Sequence, residues 1–254
     1  MIDLHCHILP ALDDGPDTQR ESLQMAESAA ADGITHIVAT PHSNEEYSFD
    51  YAQVRKLRDE LQRAVGTRLA ILIGCDFHMS PENLAALRTD PAKFCINQHS
   101  YLLVEFNEFS IPPSMDQTLH ELRVAGIHPV ITHPERNRIL CADPQRLVGW
   151  IRLGCHVQIT GGSLTGAFGK TARERALSWI GRGLVHFVAS DAHNTKGRPL
   201  VLKPAYQAVQ QDFGKGMAEA LFVKNPAAAL EGQTLPYVAD VQDVRKTRKR
   251  FWLF

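Results

Sequence analysis

Short runs of apolar and β-branched residues recur along the chain and are separated by longer amphipathic stretches. A run of this kind, bounded by turn-forming residues, is typical of a buried strand. Seven runs have this character, and we predict strands at Ile2–His7, Ile34–Thr40, Leu69–Asp76, Tyr101–Phe106, His128–His133, His156–Thr160 and His186–Ser190.

The stretches between these runs carry apolar residues three or four positions apart, which is the period of a helix with one buried face. Pro81 opens one of them, where proline suits the first helical turn, and Gly126, Gly154 and Gly181 follow three others as helix stops. We predict helices at Thr18–Ala31, Tyr51–Val65, Pro81–Leu87, Met115–Ala125, Pro144–Leu153, Thr171–Ile180, Leu200–Phe213, Gly216–Val223 and Pro226–Glu231.

Strictly alternating strands and helices predict an α/β fold built on a parallel sheet. Near-continuous apolar strands indicate that both faces of the sheet are covered. The pattern leaves a closed barrel and an open doubly wound sheet as alternatives, although no GxGxxG or Walker loop follows the first strand to support a nucleotide-binding sheet. No linker or repeat divides the chain, so we expect one domain over residues 1–240 and a tail over residues 241–254.

The tail differs from the rest of the chain in composition, because a basic stretch precedes the aromatic segment Phe251–Phe254. One interpretation is a solvated tail whose aromatic residues pack on a surface patch. The other is a docking tag for a partner or for the inner face of the membrane. Under the docking interpretation, deleting the tail should leave turnover of a small substrate intact.

The composition narrows the function. The 254 residues include 27 basic and 28 acidic side chains, a balance that gives no general attraction to nucleic acid or to an acidic membrane surface. The five cysteines are scattered without a CxxC pair, which favours reduced thiols in a cytosolic protein. No apolar run reaches the roughly 18 residues that cross a bilayer. Since the chain also begins directly in a predicted strand, without a signal peptide, we expect a cytoplasmic protein.

Residues that can bind metal ions stand at the ends of nearly all the predicted strands. In parallel α/β folds the C-terminal strand ends share one face, where active sites form. Burying so many imidazoles and carboxylates together would be costly without a compensating cation. Mixed imidazole and carboxylate ligands without thiolate suit Mn, Fe or Zn. The candidate ligands are His5, His7, Asp14, His42, Asp76, Glu105, His133, Asp191 and His193.

Other polar residues near this pattern are expected to be structural. Cys6 and Cys75 alternate with the candidates along their strands and should face the core as small residues. Asp13 should cap the loop before the following glycine, and His78 is a weaker candidate for the site. The remaining histidines are assigned structural roles, the last three at the opposite rim of the sheet: His36, His99, His120, His128, His156 and His186.

Five motifs together resemble the PHP (polymerase and histidinol phosphatase) superfamily: HCH, the aspartate pair before glycine, TPH, THPER and SDAHN. The DDGP after the first motif and the GRP after the last resemble the bacterial protein-tyrosine-phosphatase branch, whose members sit beside capsular or exopolysaccharide tyrosine kinases. The resemblance extends from His5 to Pro199. It implies a distorted seven-stranded (β/α) TIM-like barrel, which decides between the alternatives above, and three divalent metal ions.

The resemblance also divides the ligands among three metals, for which we expect Mn²⁺, with Fe and Zn compatible with the same donors. The first metal would be held by His5, His7, Asp76 and Asp191. Asp76 would bridge to the second, joined by Glu105 and His133, and the third would be held by Asp14, His42 and His193. The family usually has glutamate where this chain has Asp76, which bears on the bridge and on occupancy of the second site.

Two arginines match positions that the family uses to bind phosphate. Arg136 follows His133 by three residues and Arg198 follows His193 by five, while Arg138 is a weaker candidate. A guanidinium clamp on a phosphate is the usual complement to divalent cations, which lower the pKa of bound water and neutralise phosphoryl oxygens. The phenol leaving group of phosphotyrosine has a pKa of about 10. We therefore expect attack by a metal-bound hydroxide without an obligatory general acid.

The expected substrate is a phosphotyrosyl protein, specifically a membrane-associated tyrosine kinase of polysaccharide biosynthesis. A cysteine phosphatase needs Cys-x5-Arg and a serine hydrolase needs GxSxG, and neither motif is present. The glycine-rich segment Gly161–Gly169 is expected to be a loop, either at the pocket rim or plain and flexible. Three alternatives stay open: a phosphatase or phosphodiesterase acting on a small molecule such as histidinol phosphate, a metal amidohydrolase, which would lack its bridging lysine, and a non-catalytic metal-stabilised module that binds a kinase.

Overall fold

The computed structural model describes residues 1–244, so the basic and aromatic residues of the tail lie outside the described part of the chain. Strands form at all seven predicted positions, two of them in two pieces. In chain order they are β1 (Ile2–Cys6), β2 (His36–Ala39), β3 (His42–Ser43), β4 (Ala70–Ile73), β5 (Asp76–His78), β6 (Tyr101–Glu105), β7 (His128–Thr132), β8 (His156–Thr160) and β9 (Phe187–Ala189).

Helices occupy the intervening segments, and α1 shows how the sequence sets their ends. The hydroxyl of Thr18 accepts the backbone N–H of Glu21 at the start of α1, and Gly33 adopts a left-handed φ of 89° after its end. The helices are α1 (Gln19–Asp32), α2 (Tyr51–Val65), α3 (Pro81–Thr89), α4 (Met115–Val124), α5 (Arg138–Ala142), α6 (Pro144–Arg152), α7 (Gly161–Thr165), α8 (Lys170–Gly181), α9 (Lys203–Phe213), α10 (Lys215–Glu219) and α11 (Asn225–Leu230).

Three short segments complete the helical structure: 3-10 turns at Pro91–Lys93 and Ile96–Gln98, and a π-helical turn at Ala220–Lys224 between α10 and α11. Over residues 1–244, none of these helices combines the length and apolar character needed to cross a membrane. The predicted loop at Gly161–Gly169 was wrong for its first five residues, which form α7. The helix α5 was not predicted.

The strands form two parallel sheets, which confirms the predicted α/β fold. One sheet has the order β1-β2-β4 and the other the order β3-β5-β6-β7-β8-β9, and every pairing is parallel. The chain passes from the first sheet to the second twice, from β2 to β3 and from β4 to β5.

Both passages follow from local sequence. Pro41 follows the second predicted strand and separates β2 from β3, because proline has no N–H to give to a ladder. Gly74 interrupts the third, where a side-chain Cβ would come within 2.9 Å of Val38. These breaks position two candidate ligands, since the chain resumes with His42 and Asp76 directly paired across β3 and β5.

The first and last strands of the described chain are also neighbours. Cys6 and Ala192 form a parallel bridge, and the backbone N–H of Asp191 donates to the carbonyl of His5 at 2.9 Å. The carboxylate of Asp3, buried in β1, accepts the N–H of Ser190 at 2.9 Å. The first and last of the five motifs, HCH and SDAHN, therefore meet in the fold.

The apolar core lies directly beneath the candidate ligands. Leu103 and Val130 belong to a buried cluster that the strands enclose with α11, while a larger cluster packs the helices against the outside of the sheets. Because alternate residues of a strand share a face, Glu105 lies on the same side of β6 as Leu103. Inward positions thus change from apolar to polar where each strand ends.

Candidate metal centre

All nine candidate ligands converge at the C-terminal ends of the strands. The side chains that could hold a metal ion fall into five overlapping groups, and within each group the donor atoms lie within 4.8 Å of one another. The groups are His7-Asp14-His42-His193, His5-His7-Asp76, His5-His133-Asp191, His42-His78-Glu105 and Asp76-Glu105-His133. The predicted residues are thus one connected cluster.

The innermost part of the cluster is centred on His5, which is fully buried. Its Nε2 lies 3.2 Å from Nε2 of His7, 3.4 Å from Oδ2 of Asp76 and 3.5 Å from Oδ1 of Asp191. These are the four residues that the resemblance assigns to the first metal. The shorter side chain of Asp76 does reach them.

The middle part is centred on Glu105. One carboxylate oxygen lies 3.5 Å from Nε2 of His133 and the other 3.5 Å from Nδ1 of His42. His78 also contacts this carboxylate through its Nε2, so the structure places His78 within the cluster. His42 in turn lies 3.3 Å from Asp76, which connects the middle part to the innermost one.

The outer part is centred on Asp14, whose side chain is 46% exposed and stands at the solvent edge of the cluster. Its Oδ1 lies 3.4 Å from Nε2 of His42 and 3.3 Å from Nε2 of His193. The ring of His193 packs on that of His7, with 4.0 Å between their centroids. The outer and inner parts therefore share a wall of imidazoles.

Two of these side chains depend on unusual backbone. His133 and Asp191 adopt left-handed φ angles of 32° and 53°, immediately after β7 and near the end of β9. Such a conformation costs a non-glycine residue about 1–3 kcal/mol and persists only where neighbours enforce it. The N–H of His133 donates to the carbonyl of Gln158 at 2.8 Å, which helps to fix it.

The two predicted arginines approach the cluster from one side. Nη2 of Arg136 lies 2.6 Å from Oδ2 of Asp191, and Nη2 of Arg198 lies 2.5 Å from the same oxygen. Both arginines line a cavity of about 540 Å³ together with the outer candidate ligands. Arg138 is exposed at the start of α5 and is not among the residues that line it.

Sequence reasoning missed the side chains that hold the histidines. Asp13, predicted only to cap its loop, accepts the N–H of Gly15 at 3.0 Å and also bonds Nδ1 of His7 at 2.7 Å. Its second oxygen further accepts the backbone N–H of His42 at 3.0 Å. Gln158, in the middle of β8, bonds Nδ1 of His5 at 2.9 Å. A hydrogen bond on the far nitrogen fixes the tautomer and orientation of a metal-binding imidazole.

Glu135 of the THPER motif is another residue that the sequence did not single out. It is fully buried beside the cavity and accepts the backbone N–H of Thr160 at 2.9 Å and the hydroxyl of Ser163 at 2.7 Å. Burial raises the pKa of this carboxyl group. Glu135 thus ties the loop that carries Arg136 to the start of α7.

The carboxylates of the cluster favour positive charge on two of its histidines. Burial opposes protonation of His5, yet Asp76 and Asp191 raise its pKa to about 10. Burial likewise opposes protonation of His42, but its pKa is raised to about 9 by Asp14 and other carboxylates. Glu105 is buried, which disfavours its charged form, and yet the histidines around it lower its pKa to about 2.

The donor set fits divalent cations. Nδ1 of His42 and both oxygens of Asp76 are buried without a hydrogen-bond partner. Unpartnered buried polar atoms are costly, so a ligand for them is expected. Carboxylate and imidazole donors without thiolate suit Mn, Fe or Zn. Cys6 and Cys75 belong to the apolar core, as predicted, and burial raises the pKa of both thiols.

Comparison with known proteins agrees with this geometry. Tyrosine-protein phosphatase YwqE of Bacillus subtilis is 37% identical over the full length of both chains. Tyrosine-protein phosphatase CpsB of Streptococcus agalactiae is 32% identical over 91% of this chain and 98% of its own. A solved structure from work on YwqE of B. subtilis and CpsB of Streptococcus pneumoniae, described as metal-dependent tyrosine phosphatases, superposes with a TM-score of 0.90 at 36% identity. It covers 97% of this chain and 100% of its own.

The family match covers the strands, the cluster and the arginines together. Residues 1–231 match the family described as "Capsular polysaccharide synthesis, CpsB/CapC". This range contains all the candidate ligands and every described helix and strand. The chain therefore belongs to the CpsB/CapC family of capsular polysaccharide synthesis.

Proposed function

We propose that this chain is a metal-dependent protein-tyrosine phosphatase, which hydrolyses phosphotyrosine in a protein substrate. The observation that carries the proposal is a cluster of imidazoles and carboxylates with two guanidinium groups at its edge, in one open cavity. Cations together with paired arginines are suited to a phosphate dianion. Full-length similarity to named tyrosine phosphatases supplies the substrate class.

Three divalent ions, for which Mn²⁺ is our choice, would be held by the nine residues in the division given by the PHP resemblance. Bound there, the ions would supply Lewis-acid stabilisation of the phosphoryl oxygens and a water of lowered pKa. Asp76 would join the first two positions because it lies 3.4 Å from Nε2 of His5 and forms one donor group with Glu105 and His133. His78 would support the second position through Glu105.

The chain's own residues would bind and orient the substrate. Arg136 and Arg198 each use one nitrogen on Asp191, which leaves further N–H groups for phosphoryl oxygens. The Nε of Arg198 is buried without a partner, so this donor is free for such an oxygen. Because the phenol leaving group has a pKa of about 10, its departure needs little help from an acid. No side chain of the cavity has to serve as an obligatory general acid.

The protein substrate we propose is a membrane-associated tyrosine kinase of polysaccharide biosynthesis, and the proposed location is the cytoplasm, with recruitment to the inner face of the membrane by that partner. The family description, capsular polysaccharide synthesis, supports the biological setting. The free state of all five cysteines supports a reducing compartment. No nucleic acid partner is proposed.

The fold we propose for this activity is a distorted seven-stranded barrel in a single domain of residues 1–240. Counting β2 with β3 and β4 with β5 as interrupted strands gives seven positions, and successive positions pair in parallel. The bridge between Cys6 and Ala192 brings the last position beside the first. These contacts support closure of the barrel.

The direct test is to strip the purified protein with a chelator, restore Mn²⁺, and assay a phosphotyrosyl peptide alongside histidinol phosphate. We expect activity on the peptide to vanish and return with the metal, with histidinol phosphate a poor substrate. His42→Ala and Arg198→Ala should each cripple turnover in a protein that remains folded by circular dichroism. Activity that survives complete metal removal contradicts the proposal, and metal binding without any turnover favours a non-catalytic module.

A further inference from the structure

A second cavity, of about 250 Å³, lies beside the first and differs from it in character. It is formed between α7 with the loop after it and the segment that leads into α9. Its wall is largely apolar and includes Ala167, Phe168, Pro199, Val201, Pro204 and Ala205. We call this cavity the apolar slot.

The apolar slot and the metal-centre cavity share two residues, Phe168 and Arg198. Arg198 contacts Asp191 with its guanidinium, and Ser190, the residue before Asp191, lines the slot. The ring of Phe168 carries the guanidinium of Arg136 over its face, 4.5 Å from its centroid. The two phosphate-binding arginines thus stand at the boundary between a polar cavity and an apolar one.

The position of Phe168 is set by a glycine. A Cβ at residue 162 would come within 2.9 Å of the Phe168 ring, so only glycine lets the ring lie against α7. The ring lies in the wall of the slot and also carries the guanidinium of Arg136 over its face. Phe168 is therefore a wall that the slot and the metal-centre cavity have in common.

We propose that the apolar slot binds the aromatic ring of the substrate phosphotyrosine while the neighbouring cavity binds its phosphate. In phosphotyrosine, a phosphate dianion is joined through one oxygen to a flat apolar ring. The polar metal-centre cavity matches the phosphate, and the adjacent apolar slot matches the ring. Burial of the ring stabilises binding, and a guanidinium at the boundary can face both a phosphoryl oxygen and an aromatic face. This inference rests on the proposed function and specifies how the site prefers aryl over alkyl phosphates.

The other cavity that borders the cluster suits a different ligand. It holds about 430 Å³ and its wall carries three acidic residues, Glu45, Glu46 and Glu105. Burying a neutral ring against carboxylates would remove water from charged groups without replacing their hydrogen bonds. The charge difference between the two neighbours therefore favours the apolar slot for the ring.

The test uses two non-hydrolysable probes that differ only in the ring, phenylphosphonate and methylphosphonate, titrated calorimetrically into the Mn²⁺-loaded protein. For the unaltered protein we expect phenylphosphonate to bind roughly 10–100-fold more tightly, as an apolar pocket allows. Val201→Phe fills the slot and should abolish this preference while leaving methylphosphonate binding within about twofold. Val201→Ser removes apolar wall without adding bulk and should reduce the preference as well.

The matched control is Val124→Phe, the same change at an exposed valine at the end of α4 that lines neither cavity. It should leave both affinities unchanged. Equal affinity of the two phosphonates for the unaltered protein would contradict the proposal that the slot binds the ring. A preference for phenylphosphonate that survives in Val201→Phe would contradict it as well. If the protein prefers phenylphosphonate but hydrolyses no phosphotyrosyl peptide, the proposed function is contradicted, whereas binding of an aromatic ring in the slot is still supported.

Discussion

Both ends of the strands collect buried and half-buried histidines, but the two collections have opposite surroundings. At the C-terminal ends, six imidazoles face four carboxylates, as in the contacts of His5 with Asp76 and Asp191. At the N-terminal ends, His128, His156 and His186 lie among aromatic rings instead. Within residues 1–244, none of these three belongs to a group of side chains that could hold a metal ion.

The N-terminal collection is a stack. Tyr101 stacks on His128 with 4.8 Å between ring centroids, and His156 follows at 6.0 Å from His128. His186 meets His156 edge-on at 4.8 Å. The neighbouring charge is a cation, since Arg123 donates to Nδ1 of His128. Here the imidazoles serve as neutral aromatic rings.

The comparison shows that neighbouring charge, rather than the number of histidines, decides what such a cluster does. Both clusters are at least half-buried, and burial by itself lowers the pKa of a histidine. In the N-terminal stack burial prevails and lowers the pKa of His156 to about 2 and that of His186 to about 4. At the C-terminal ends carboxylates reverse the effect of burial at His5 and raise its pKa to about 10. Burial still lowers the pKa of His7 and of His133 in the same cluster.

The largest expected difference between the C-terminal and N-terminal ends of the strands is in the effect of a substitution on catalysis. Asp191→Asn keeps the shape of the side chain but removes the charge that faces His5 and both arginines. We expect kcat/KM on a phosphotyrosyl peptide to fall roughly 10²–10³-fold, the scale of losing one preorganised electrostatic contact. His156→Phe at the opposite end should change it by less than about threefold, ~0.65 kcal/mol in the barrier. Comparable losses in the two variants, both verified as folded, would remove the functional distinction between the two ends.

A smaller effect is expected from a residue that does not belong to the ligand set. Asp13→Asn weakens the hold on Nδ1 of His7, which loses a charged acceptor at 2.7 Å. Changes of this kind cost about 10–100-fold in metal affinity. Competition with a chromophoric chelator measures that affinity without reference to turnover. An unchanged affinity would show that the loop, rather than the carboxylate charge, orients His7.

The smallest expected effect concerns stability and pH at the N-terminal stack. In the folded protein His156 stays neutral well below its ordinary pKa of 6.5, whereas in the unfolded chain it gains a proton as the pH falls past 6.5. Its contribution to stability is therefore complete above pH 6.5 and is lost progressively between pH 6.5 and the folded-state pKa of about 2. Each histidine of this kind adds a slope of about 1.4 kcal/mol per pH unit.

His156→Phe removes the contribution of one histidine to the pH dependence of the free energy of unfolding. Phenylalanine suits the position because Nδ1 of His156 is buried without a hydrogen-bond partner that the substitution would lose. Urea unfolding at pH 7 and at pH 5 should show that the free energy of unfolding falls less for the variant than for the unaltered protein as the pH is lowered. All other titrating groups are common to the two proteins and cancel in the difference. Parallel pH profiles would mean that His156 is not neutral in the fold.

The sequence was sufficient for features that depend on local order. Apolar runs located the strands, and the rule that parallel strands end on one face brought together His5, Asp76 and Asp191, residues that lie far apart in the chain. It also separated His128 and His156, which begin strands, from the site. These inferences needed only strand direction and the alternation of side chains.

What the sequence could not supply depends on chain segments that fold back on one another. Asp13 reaches His7 because its loop returns over the strand end, and no periodicity records that. Gln158 resembles any polar residue in a strand until β8 places it beside His5. The helix α7 was missed because two glycines at its start suggest a loop, whereas Gly162 is needed for the contact with Phe168.

The bridge between Cys6 and Ala192 has a consequence for how the protein is made. β1 has a partner on one side only, β2, until β9 arrives to occupy the other. At ordinary synthesis rates Asp191 follows His5 out of the ribosome by roughly ten to forty seconds. Throughout that interval the nascent chain exposes an unpaired edge and an incomplete set of ligands. We therefore expect metal loading to be a late event in biogenesis, because a chain released before residue 191 has neither a finished sheet nor a finished site.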